Sequence, residues 1–132
     1  MKEPLYVTRS FLPPLSEYTQ LLKDIWKTGV LTNDGKYLKL LEKNLRKLSG
    51  CKHALCINNG TIALQAAIKA LNISGEIITT PFSFIATTSS IIWEGCKPVY
   101  ADIDPGTLNI DPAHIEKKIT RRTRAIMAVH VY

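Results

Sequence analysis

Ala54-Leu55-Cys56-Ile57-Asn58-Asn59-Gly60-Thr61 passes from a short apolar run, through a polar turn, into a helix-forming segment. Glu76-Ile77-Ile78-Thr79-Thr80-Pro81-Phe82-Ser83-Phe84 makes the same transition. Short apolar runs separated by helical stretches of about ten to fifteen residues are the pattern of βαβ units, whose strands form a parallel sheet covered by crossover helices. Extended outward, the pattern predicts four strands, Ala54 to Ile57, Glu76 to Thr79, Pro98 to Ile103 and Arg124 to Val131. The near-continuous hydrophobicity of the first, second and last predicts burial on both faces. Helices are expected over Thr61 to Leu71, Phe84 to Trp93 and Asp111 to Ile119, the last with a carboxylate at its N-cap and Pro112 at N1. The last strand reads as a central one, and His130-Val131-Tyr132 falls at its carboxyl end, the side on which open α/β sheets bind ligands.

Ahead of this region the periodicity is purely helical. Leu15, Tyr18, Leu21, Leu22, Ile25 and Trp26 recur at steps of three and four after Pro13-Pro14 and stop near Gly29. Tyr37, Leu38, Leu41, Leu45 and Leu48 form a second helix that ends at Gly50, where glycine accepts the left-handed conformation of a C′ residue. Val30 to Gly35 is the loop between them. The expected organisation is a helical N-terminal arm over residues 1–50 and an α/β domain over 51–132.

Composition narrows the function classes. The 132 residues are enough for one small domain or a piece of a larger one, and 45% apolar with 21% charged residues is the balance of a globular chain. The formal charge of +6 is scattered, with Arg121-Arg122-Arg124 as the one cluster and no interleaved aromatics, so no nucleic-acid partner is expected. The apolar runs are far shorter than a membrane span, and the start of the chain lacks a signal peptide's apolar segment. Cys51, Cys56 and Cys96 make an odd count without metal-ligand spacing, as in reduced cytosolic proteins, and a cytoplasmic location is expected. His53, His114 and His130 show no ligand spacing either, and no metal site is expected.

Three stretches carry candidate chemistry. In Asn58-Asn59-Gly60-Thr61 a glycine permits close backbone approach, and the free N–H groups of a helix N-terminus suit a phosphate; a helix cap without a ligand uses the same residues. Neither a dinucleotide fingerprint nor a P-loop pattern is present. Phe84, leaving the second strand, is placed to stack on a flat heteroaromatic ring, although a buried core phenylalanine is the commoner use of the residue. Asp102-Ile103-Asp104, followed by Pro105-Gly106, reads as a turn rather than a catalytic pair.

Five segments in order resemble the DegT/DnrJ/StrS nucleotide-sugar aminotransferases: Val30-Leu31-Thr32-Asn33-Asp34-Gly35, Asn59 to Leu64, Thr80 to Thr87, Gly95 to Asp104, and Val129-His130-Val131-Tyr132. The resemblance covers nearly the whole chain. It implies the aspartate-aminotransferase fold, of which this chain would supply part of the large cofactor-binding domain, a partial three-layer αβα sandwich with a mainly parallel sheet. It also implies pyridoxal 5′-phosphate as cofactor, glutamate or glutamine as amino donor, a nucleotide-linked keto sugar as acceptor, and a homodimer. By position, Gly60 and Thr61 would hold the cofactor phosphate, Phe84 would stack on its ring, and Thr32 would approach the sugar. Family members continue beyond the His-x-Tyr motif to an aspartate at the pyridine nitrogen and a lysine bonded to the cofactor; neither can be assigned here. The expectation is therefore an N-terminal fragment, with no catalytic residue of its own and inactive alone. Its rivals are a non-catalytic phosphate- or nucleotide-binding α/β module and a remnant acting only through association with another chain.

Overall fold

The structure, a computed structural model, describes residues 8–130, which fall into two compact units divided in the sequence between Cys56 and Ile57. The first contains two helices, α1 (Leu15–Thr28) and α2 (Lys36–Ser49). The Pro14 carbonyl accepts from the N–H groups of Glu17 (3.1 Å) and Tyr18 (3.2 Å) and so closes the first turn of α1. Glu17 in that turn and Lys27 in the last complement the helix dipole. Gly29 (φ 66°) ends α1 in the left-handed conformation, with its N–H donating to the Ile25 carbonyl at 2.9 Å, and Gly50 (φ 70°) ends α2. Both helices and both glycine stops fall where the periodicity puts them.

The run Ala54 to Ile57, expected as the first strand, is irregular. A strand needs a partner for its backbone groups, and an apolar run carries no information about whether one is available. The Cys56 N–H instead donates to Glu42 Oε1 at 3.0 Å, and Leu55 is exposed.

In the second unit the elements are α3 (Gly60–Ala70), β1 (Glu76–Thr79), α4 (Ala86–Trp93), β2 (Lys97–Tyr100), α5 (Pro112–Lys118) and β3 (Thr123–Ile126). The sheet order is β2-β1-β3, with both pairings parallel, so the unit is of the α/β class. Four consecutive buried residues mark β1 as the central strand, as its near-continuous hydrophobicity predicts, although Glu76 and Thr79 at its ends are polar. Ile77 packs with Ile68 of α3, Ile91 of α4 and Cys96, and Ile73, Ala125 and Met127 border this cluster. Burying one such side chain contributes about 1.5–3 kcal/mol.

The expectations for the outer strands need correction. Among the described residues β3 is paired on one side only, to β1, and its residues alternate between half-buried and exposed rather than being buried on both faces. It ends at Ile126; Val131, the expected end, lies outside the described residues. β2 stops at Tyr100 instead of Ile103, because the Asp104 carboxylate draws the chain into a turn by accepting from Gly106 N (3.0 Å) and Thr107 N (2.7 Å). Ile103 makes only an isolated antiparallel bridge to Ile110. Helix α4 begins two residues after Phe84, which remains in the preceding turn. α5 starts as expected, with Pro112 in its first turn and the Asp111 side chain accepting from Ala113 N at 2.8 Å.

Candidate functional site

Helix α3 feeds β1 through Leu71 to Gly75, so its N-terminus points back toward the carboxyl edge of the sheet. Asn59 caps it: Oδ1 accepts from Ile62 N at 2.9 Å and the carbonyl from Ala63 N at 3.2 Å. That leaves the N–H groups of Gly60 and Thr61 without a partner among the described residues. A Cβ built on Gly60 would meet nothing within 4 Å, so space beside the first turn of α3 is open. Free N–H groups at the positive end of a helix form an anion site.

Hydrogen bonds fix the surroundings of this terminus. Ser90 Oγ, in α4, donates to the Thr61 carbonyl at 3.4 Å. At the carboxyl ends of β1 and β3, Thr79 Oγ1 donates to the Met127 carbonyl at 2.9 Å, and Met127 N to the Ile78 carbonyl at 2.8 Å. Thr80 Oγ1 then accepts from Phe82 N (3.2 Å) and its carbonyl from Ser83 Oγ (3.2 Å), shaping the turn that presents Phe84. Pro81, Phe82, Ser83, Phe84 and Val129 line a cleft of about 400 Å³ here. Phe84 is 77% exposed in this chain, so its ring is not part of the unit's buried core.

Gly60, Thr61 and Phe84 thus belong to one unit. Thr32 belongs to the other unit, in an exposed loop lining a cleft of about 610 Å³ between the end of α1 and the start of α2. There Asp24 accepts from Lys36 Nζ (2.7 Å) and Tyr37 OH (2.9 Å). The bond from Lys36 first, and that from Tyr37 second, hold the Asp24 carboxyl below its ordinary range; the same contacts raise Lys36 and Tyr37. Sequence reasoning passed over this cluster, whose members lie twelve and thirteen positions apart with no motif linking them. It also passed over Val129 as a wall of the Phe84 cleft.

Asp104 has the turn role expected of it: the Thr107 backbone and side chain, then the Gly106 N–H, hold its carboxyl low. Among the described residues no group of histidine, cysteine and acidic side chains is arranged to hold a metal, and no helix is long and apolar enough to cross a membrane.

The model of the DegT/DnrJ/EryC1/StrS aminotransferase family matches residues 15–132, and the chain belongs to that family. It is 50% identical over its full length to a dTDP-4-amino-4,6-dideoxy-D-glucose transaminase of Shigella dysenteriae, covering 36% of that protein. Its fold matches that of DesI, solved in the presence of its TDP-sugar product, with a TM-score of 0.90 and 32% identity over the whole chain and 34% of DesI. NtdA from Bacillus subtilis, solved with bound cofactor PMP, matches with a TM-score of 0.84 and 33% identity over 89% of this chain and 27% of NtdA. The chain spans about a third of the length of the curated relatives it matches first.

Proposed function

We propose that this chain is the N-terminal part of a pyridoxal-phosphate-dependent aminotransferase acting on a nucleotide-linked keto sugar, with glutamate or glutamine as amino donor. The observation that carries the reading is the pair of N–H groups at Gly60 and Thr61 without a partner among the described residues, in the same unit as an exposed Phe84 at the turn following β1. These groups fit the cofactor: the α3 terminus binds its phosphate with the Thr61 hydroxyl as a further donor, and Phe84 holds the ring plane. When bound, pyridoxal phosphate supplies an electron sink for moving the amino group. The chain's own residues bind and orient. Residues 51–132 are the first part of the cofactor-binding domain, residues 1–50 are its helical arm, and Thr32 approaches the sugar. Exposed apolar side chains on the arm, Leu15, Trp26 and Leu48 among them, support a homodimer. The free thiols Cys51, Cys56 and Cys96 support a reducing, cytoplasmic setting.

No lysine of the second unit stands at the carboxyl edge: Lys69 is in the last turn of α3, Lys97 opens β2, and Lys117 and Lys118 end α5. We infer that the chain binds cofactor without transaminating, a reading this lysine distribution supports. Equilibrium dialysis tests the cradle: pyridoxal phosphate binds, inorganic phosphate competes, and pyridoxal lacking the phosphate binds far more weakly. Equal retention of pyridoxal would refute it, and tighter binding of ATP or NAD would favour a plain nucleotide-binding module. Borohydride treatment and peptide mapping should label no single lysine stoichiometrically.

A further inference from the structure

The cofactor reading accounts for the carboxyl edge of the sheet and leaves the amino edge without a role. At that edge the first residues of three parallel strands stand abreast, Glu76 between Lys97 and Thr123. The Glu76 side chain is only 5% exposed and has three partners: Thr120 Oγ1 at 2.9 Å, Arg122 Nη2 at 2.8 Å and Lys97 Nζ at 3.5 Å. The Thr120 hydrogen bond, with Arg122 and Lys97 beside it, holds this carboxyl below its ordinary range. One fixed negative charge thus faces two cations.

Arg124 adds a third cation. Its Nη1 donates to the carbonyls of Arg121 (2.8 Å) and Thr123 (3.2 Å), and it has no carboxylate partner among the described residues. Gly75, Gly95, Lys97, Arg122 and Arg124 line a cleft of about 370 Å³ over Glu76. Gly75 (φ 130°) is required here, because a Cβ would stand 2.8 Å from the Arg122 carbonyl oxygen; Gly95 leaves open space. Lys97 and Arg122 keep most of their side chains in water, so the mouth is accessible.

A cleft with an excess of one charge concentrates the opposite ion, and guanidinium groups match phosphate oxygens with paired donors. Glu76 and the two carbonyls already hold these cations in place, so little side-chain freedom is lost on binding. We propose that this cleft binds a small phosphate anion of more than one negative charge, with inorganic diphosphate as its simplest representative, at the edge of the sheet opposite the α3 terminus.

Backbone-amide NMR of the chain titrated with diphosphate tests this independently of the cofactor reading. Saturable shifts are expected at Gly75, Gly95, Lys97 and Arg122, and they should persist in Thr61→Val. Orthophosphate should bind more weakly. Arg124→Gln, which leaves the Glu76 pairs intact, should weaken diphosphate binding about tenfold, the loss expected for one charge-assisted hydrogen bond. Lys97→Gln provides a second variant, and the spectrum of each free variant reports whether it has folded. Shifts confined to Gly60 to Ile62, the absence of saturation, or wild-type affinity in both variants would overturn the proposal.

Discussion

Phe84→Ala separates a stacking residue from a packing residue. Complete burial of a phenylalanine side chain contributes about 1.5–3 kcal/mol. With Phe84 77% exposed, only about a quarter of that is available, so truncation should cost less than about 0.7 kcal/mol. For a unit of this size the melting temperature should fall by less than about 5 °C. An aromatic pair gains about 0.5–1.5 kcal/mol beyond area burial, so the same truncation should raise the dissociation constant for pyridoxal phosphate about two- to thirteenfold. Thermal unfolding and equilibrium dialysis on one preparation measure both quantities, and Phe84→Leu, which restores apolar bulk without a ring, should recover little of the affinity. Unchanged affinity in Phe84→Ala, or a melting temperature lowered by more than about 10 °C, would show that the ring packs rather than stacks.

Ile77→Ala should have the opposite profile, losing about 2–5 kcal/mol in denaturant unfolding because its side chain is completely buried against Ile68 and Ile91. Asn59→Ala removes the α3 cap and should cost about 0.5–2 kcal/mol; Asn59→Asp keeps the cap but sets a negative charge beside the phosphate donors, so it should bind pyridoxal phosphate more weakly at nearly unchanged stability. Glu76 gives a pH signature of definite sign. Its carboxyl is held below the ordinary value of 4.5, so its contribution is present above that pH and is lost as the pH falls through the lowered folded-state value; in acid titrations Glu76→Gln should flatten this decline.

The helices were more legible than the strands, for a physical reason. A helix satisfies its backbone within its own sequence, so the periodicity of Leu15 to Trp26 and the stop at Gly29 determine α1 almost by themselves. A strand is completed by a neighbour. Glu76 to Thr79 has partners on both sides, whereas Ala54 to Ile57, no less apolar, has none among the described residues and is irregular. At the candidate site the Asn59-Gly60-Thr61 cradle was readable because capping is local. The exposure of Phe84 was not, because residue type alone favours burial for phenylalanine. The Glu76 cluster was the least legible, since Thr120, Arg122 and Lys97 meet that carboxylate only after three strands have aligned.

That alignment also orders events in time. Glu76 pairs with Lys97 across α4, but with Thr123 only across a loop rather more than twice as long. Each doubling of a closed loop costs about 0.6 kcal/mol of chain entropy, so the β1–α4–β2 crossover is the cheaper contact to close and serves as the template on which β3 docks. Amide hydrogens in β3 should accordingly exchange through partial openings that leave β1 and β2 paired, making this strand the first part of the sheet to come loose.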